Sequence, residues 1–334
     1  MKRFYNIAFI VLFTILLITA IFKLNMWEIF RIEANAEGSL IALAVLLTIF
    51  RFLIWNYKWQ LLISSTGTRV SFFRLLPILM AGVFVSTSTP GANIGGEPLR
   101  AYYLAKEAKI KKSAAMATII MDKAGNYFAF LIYSIIAFIL LIEYFEAEVI
   151  KLLFFSFLVI TSIVLIYVKM RKNNTFIESL LRFIYPLMKI FKFHFETFED
   201  FDSFIYSRIR VFIDTLKLMR KKPLNLVINL ILSFVLWLTS FIKTYLVFLA
   251  LGINVAFLFV AAIKTVSILA GMFSFIPGGF GVTEGVMVAL FTSYGINTKL
   301  ALAGVVLSRA IYYFFSIGTG YICLLWLKVK STKN

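Results

Sequence analysis

Two glycine-rich breaks interrupt this chain inside otherwise apolar sequence, Pro90–Glu97 (PGANIGGE) and Ile276–Glu284 (IPGGFGVTE). A Pro-Gly pair opens each, and a glutamate closes each seven residues after its proline. An apolar approach precedes both, and both lead into another helical run. The flanks agree as well: Ile120–Ala124 (IMDKA) lines up with Val306–Ala310 (VLSRA), and Tyr127-Phe128 with Tyr313-Phe314 after a one-residue gap. We read these stretches as two copies of one unit, a membrane helix broken at a polar loop. Short apolar segments interrupted by Gly and Pro at corresponding positions of two halves point to a transport site.

Composition sets the class. Of 334 residues, 61% are hydrophobic and 15% charged, and the mean hydropathy is +0.93. That is a polytopic membrane protein, not a soluble domain. The net charge of +18 could suggest nucleic acid, but the Lys and Arg gather in the loops between apolar spans. Basic loops of that kind mark the cytoplasmic face, where anionic lipid lies close by, so no nucleic-acid partner is expected. A lone cysteine, Cys323, and a lone histidine, His194, leave no basis for a Cys- or His-based metal site, and no cofactor is expected. No GxxxxGK[ST] is present, so the chain does not drive itself with ATP.

Taken in order, Phe4–Phe22 reads as a retained first span and roughly Leu40–Ser64 as the second. Leu75–Thr89 is too short to cross ~30 Å of hydrocarbon comfortably. With Leu99–Lys112 it reads as a re-entrant hairpin around the first break. Ala114–Ile142 and Lys151–Val168 follow as the third and fourth spans. The polar stretch 169–222 carries two amphipathic stripes and suits a cytoplasmic interfacial insert. Leu224–Leu251 is the fifth span, Val255–Phe275 and Thr283–Ser293 flank the second break, and Leu300–Leu327 is the sixth span. The expected fold is an all-α polytopic membrane domain over 1–334, with about six full spans and two broken hairpins. Repeat one would cover 40–142, with its break at 90–97, and repeat two 224–327, with its break at 277–284. The positive-inside rule places both termini in the cytoplasm of a cell-membrane protein and makes the second copy inverted relative to the first.

Charges at membrane depth cost at least ~2.5 kcal/mol each on insertion scales, which singles out Arg51, Glu97, Arg100, Asp122, Lys123, Lys243, Lys264, Glu284 and Arg309. Glu97 and Arg100 are spaced to pair on one helix face. Gly91, Gly95 and Gly96 after Pro90, with the helix start beyond them, form a seat for an anionic phosphate that Arg100 would clamp. Pro277, Gly278, Gly279 and Gly281 repeat the arrangement before Glu284. Both glutamates could instead cap their helices against the dipole, with Thr283 as a natural N-cap. Lys123 and Arg309 occupy equivalent positions, either as two arms facing one cavity or as snorkelling ends. Lys243 is mid-span, and an ion pair with Glu284 or Glu97 would account for it. Tyr102, Tyr103, Tyr312 and Tyr313 read as interface anchors.

At Arg51–Leu62 (RFLIWNYKWQLL), Pro90–Leu104 (PGANIGGEPLRAYYL), Met121-Asp122-Lys123 and Ile276–Glu284, the chain resembles a flippase-like membrane family. That family includes the transmembrane region of lysylphosphatidylglycerol synthases of the multiple-peptide-resistance type. The resemblance implies translocation of an anionic lipid or a polyprenyl-phosphate-linked headgroup. It carries no expectation of lysyl-lipid synthesis, because the soluble aminoacyl-transfer domain is not part of this sequence. An ion-coupled carrier of a small soluble solute fits the same architecture. An intramembrane enzyme fits less well, since no HExxH or GxSxG is present.

Overall fold

The computed structural model of the chain describes residues 31–89, 95–141, 210–274 and 276–332. The expected first and fourth spans, most of the 169–222 insert, and Pro90 and Gly91 in the first break lie outside them.

Every regular element among the described residues is helical. In order they are α1 Gly38–Ser65, α2 Phe72–Ser88, α3 Glu97–Ala108, α4 Lys112–Leu141, α5 Pro223–Ala250, α6 Phe257–Phe273, α7 Val282–Ser293, α8 Thr298–Tyr313 and α9 Gly320–Thr332. A one-turn 3-10 segment, Pro277–Gly279, precedes α7, and a π-helical stretch, Phe314–Thr319, joins α8 to α9. Among the described residues four helices are long and apolar enough to cross a membrane: α1, α4, α5 and the continuous run Thr298–Thr332. These coincide with the expected second, third, fifth and sixth spans to within a few residues.

Helix lengths recur across the two halves. α1 and α5 each have 28 residues, α2 and α6 each 17, and α3 and α7 each 12. At 1.5 Å per residue the 17-residue helices are about 25 Å long and the 12-residue helices about 18 Å, so neither kind spans ~30 Å of hydrocarbon alone. α3 takes Pro98 in its first turn, where a missing N–H costs nothing. The second break turns on Gly278, Gly279 and Gly281, all at positive φ (59°, 66° and 83°). Residues with a Cβ avoid that region, which accounts for the density of glycine here.

Each hairpin packs in an apolar core that the other half helps to build, Leu327 of α9 entering the first and Phe130, Ala137 and Leu141 of α4 the second. Trp59, Leu75, Ile78, Leu104 and Ile119 join α1, α2, α3 and α4. Phe248, Val260, Ile263, Phe291 and Val305 join α5, α6, α7 and α8. α1 lies along α5 and ties the two together. The outer faces stay apolar: Leu46, Phe50, Ile139, Ile231 and Ile322 are exposed, as lipid-facing side chains should be. Residues 210–220 are helical, and Met219 is buried against Leu62 and Ala117. The described end of the expected interfacial insert therefore docks on α1 and α4.

Candidate functional site

The hairpins close through glycine. Gly96 sits against the main chain of α2, where a Cβ would lie 1.9 Å from the Gly82 carbonyl, and its N–H donates to Ser86 Oγ at 3.0 Å. In the second half Gly271 meets Gly279 and Thr283 in the same way. The second break also approaches the end of α2, since a Cβ on Gly278 would come within 3.2 Å of the Thr87 carbonyl.

Both break-closing glutamates take a cation from the helix that follows the hairpin. Glu97 pairs with Lys123 at 2.6 Å, and Glu284 with Arg309 Nε at 2.5 Å. Glu284 also accepts the Gly281 N–H at 2.7 Å, so it caps α7 and holds Arg309 together. The N-cap is Gly281 and not Thr283, whose side chain is buried against Gly271.

Asp122 is the centre of a buried network. It lies 3.1 Å from Lys58 and 3.5 Å from Arg100 and accepts the Trp55 indole N–H at 2.9 Å. Lys58 Nζ donates further to Asn126 Oδ1 at 2.9 Å and Ser233 Oγ at 2.7 Å, and Trp59 stacks on the Arg100 guanidinium. The expected Glu97–Arg100 pair does not form. The start of α3 points Arg100 at α4, and a carboxylate flanked by two buried cations holds it better than an i,i+3 neighbour on its own helix. Lys58 was legible only as part of the Arg51–Leu62 stretch that carries the family resemblance, yet it is fully buried. Asn126 and Ser233 carried no sequence signal at all, and Trp55 none beyond its place in that same stretch.

Between the hairpins lie two adjoining cavities. Arg51, Thr87, Trp237, Ile268 and Tyr312 line both. One, of about 150 Å3, is reached by Lys243, Lys264, Arg309 and Tyr313; the other, of about 160 Å3, by Glu97, Arg100, Lys123 and Asn126. Six cations therefore face this space, with Glu97 the only acid among the described lining residues. Lys243 does not pair with a glutamate, because Lys123 and Arg309 have taken both. Its ammonium donates to the Ser308 carbonyl. Lys264 donates to the Ser240 carbonyl at 2.6 Å and to Thr244 Oγ1 at 2.5 Å. Arg51 rests near Trp237 and Tyr312, 5.7 and 5.9 Å from their ring centres. Tyr312 and Tyr313 are thus part of the cavity wall and not interface anchors, whereas Tyr102 is exposed. The π-helical stretch begins one residue beyond Tyr313, and such bulges recur at functional sites.

Arg51→Gln and Arg100→Gln should behave oppositely. Arg51 has no carboxylate within ion-pair distance among the described residues, so its loss removes an uncompensated charge and should raise stability, while loss of Arg100 strips Asp122 of a partner and should lower it. Thermal unfolding of the two purified variants checks the ordering.

Helices of spanning length around an inward-facing polar space, with apolar side chains turned outward, define a multi-pass helical membrane protein. The chain belongs to the family of the lysylphosphatidylglycerol synthase TM region, whose sequence profile matches residues 5–320. It is 28% identical over 298 residues to a UPF0104 membrane protein of Pyrococcus horikoshii, covering 88% of this chain and 89% of that protein. A UPF0104 membrane protein of Methanothermobacter thermautotrophicus is 26% identical over 290 residues, 86% of this chain and 85% of the relative. A phosphatidylglycerol lysyltransferase of Staphylococcus haemolyticus is 35% identical over 96 residues, 29% of this chain and 11% of that protein.

Proposed function

We propose that this protein moves an anionic lipid, or a polyprenyl-phosphate-linked headgroup, across the cell membrane without hydrolysing ATP and without transforming its substrate. The observation that carries the reading is the charge of the central space. Arg51, Lys243 and Lys264 face it with no carboxylate at ion-pair distance among the described residues. Each such charge costs roughly 2.5–3.5 kcal/mol at the centre of a spanning helix, and an entering phosphate offsets that cost. Apolar walls from Ile268 and Met272 suit the first part of a lipid tail.

The matched helix lengths and the two glutamate–cation pairs support a duplicated unit, inverted the second time, with 40–142 and 224–327 as its copies. Rocking one copy against the other would open the headgroup space to each side in turn. The basic loops favour cytoplasmic termini and contact with anionic lipid there. The short match to a lysyltransferase supports a lipid-related role and not transfer chemistry.

Purified protein in liposomes carrying a headgroup-labelled anionic lipid provides the test, read with a membrane-impermeant quencher. Wild type should expose label from both leaflets, and Arg51→Gln combined with Lys264→Met should expose outer-leaflet label only. Wild-type vesicles that match empty ones for every anionic lipid tried would end the proposal. Uptake of a water-soluble anion in those same vesicles would favour the solute carrier instead.

A further inference from the structure

Lys58 and Lys243 occupy the same place in equivalent helices, each at position 21 of 28 in α1 and α5. Each turns its ammonium to one residue on the helix that follows a hairpin. Lys58 reaches the main-chain carbonyl of Asp122 at 3.5 Å, and Lys243 reaches that of Ser308. Asp122 and Ser308 each directly precede the cation that pairs with a break glutamate, Lys123 and Arg309. Each site also gathers a second buried cation, Arg100 beside Lys58 and Lys264 near Lys243. In one respect the sites differ. The first contains a carboxylate; the second has the Ser308 hydroxyl, which is engaged with Thr244 at 3.1 Å.

We infer that the Ser308 pocket is an anion-binding site for a phosphate group, which takes there the position that the Asp122 carboxylate holds in the first half. Donors without partners face this cavity. Arg51 Nε and Arg309 Nη2 are buried and unbonded in the described structure. An ammonium has three N–H donors, so Lys243, with one bond, retains capacity for a ligand. Two ammonium and two guanidinium groups around one space match the charge and the several acceptor oxygens of a phosphate monoester. A neutral polar ligand would leave the cationic excess unanswered. The cavity's 150 Å3 far exceeds the roughly 10–15 Å3 that one water needs by the same measure. The site rests on the translocation reading only in taking its anion to be a phosphate.

Ser308→Asp supplies the missing carboxylate and should act as a built-in ligand. In detergent, inorganic phosphate should raise the melting temperature of wild type, because a ligand bound to the folded state alone stabilises it. Ser308→Asp should melt above ligand-free wild type and bind phosphate at least tenfold more weakly. Ser308→Asn, of the same bulk without charge, should weaken binding far less. Lys264→Met should weaken it at least tenfold, which gives a second reading should Ser308→Asp fold poorly. Dihexanoyl phosphatidic acid run beside inorganic phosphate separates the sources: tighter binding of the lipid assigns the site to a headgroup, and equal binding to the free anion. Wild type that responds to neither probe, or Ser308→Asp that responds like wild type, overturns the site. Phosphate binding with this pattern in a protein that moves no lipid would keep the site and sink translocation. Unchanged lipid movement by Ser308→Asp would do the reverse.

Discussion

Asp122→Ala should destabilise the protein by about 3–5 kcal/mol, the range for removing one partner of a buried charge pair. Asp122 and Lys58 are both fully buried, and Arg100 is nearly so. Without the carboxylate, two cations are left in the interior with no anion at ion-pair distance among the described residues. The Trp55 indole N–H loses its acceptor too, and an unsatisfied buried donor adds roughly 1–3 kcal/mol. The Arg74–Glu107 pair is the contrast. Arg74 is 68% exposed, and exposed pairs are worth about 0–1 kcal/mol, so Arg74→Gln should barely move the transition. Combining Asp122→Ala with Lys58→Met should recover part of the loss, because one of the stranded charges goes with it. Equilibrium unfolding in a single detergent measures all of these. An Asp122→Ala protein within about 1 kcal/mol of wild type would mean that the network is not what holds α1, α3 and α4 together.

That network also shows where the sequence stopped being informative. Helix positions were legible because apolar runs, Pro-Gly breaks and basic loops are local signals, and the four described long helices fall where those signals put them. The equivalence of Lys123 and Arg309 was legible too, because the two halves carry the same residue types at the same spacing, but cavity-facing arms and snorkelling ends were equally open. Which face of a lipid-bounded helix turns inward is much harder to read. A spanning helix can be apolar all round, and periodicity then says little about orientation. Lys58 was assigned no partner, and Arg100 looked like the natural partner of Glu97. That expectation used an intrahelical rule where contacts between helices decide. Lys243 was recognised as needing a partner, but the two nearest candidates by inspection were committed elsewhere, and a backbone carbonyl does not show in a sequence. Tyr312 and Tyr313 have the amphipathic character of interface anchors, and only the packing of α8 against α1 and the second break turns them to the cavity.

If the protein moves lipid as proposed, Gly96→Ala should reduce that movement by about 100-fold, equivalent to about 2.7 kcal/mol on the rate-limiting barrier, although it adds a single methyl. Gly96 has ordinary right-handed backbone angles, φ −87° and ψ −12°, so alanine meets no conformational penalty there and the effect is purely one of space. Its Cβ would fall 1.9 Å from the Gly82 carbonyl and 2.5 Å from Ser86 Oγ, and the first of these is backbone that cannot rotate away. Overpacking of this kind costs typically 1–3 kcal/mol, and the relief available is for α3 to move off α2. Arg100 lies one turn into α3, with its N–H on the Gly96 carbonyl at 3.0 Å, so it moves with the helix and away from Asp122. Glu97 is carried off Lys123 by the same shift. One methyl group thereby reaches the polar site through two charges. Gly285→Ala in α7 is the control, because a Cβ there meets nothing within 4 Å and alanine favours the helix by up to about 1 kcal/mol. It should transport like wild type and melt at the same temperature or higher. If Gly96→Ala matches it in both respects, close contact between α2 and α3 is not what positions Arg100 and Glu97, and the site must be held from the α4 side alone.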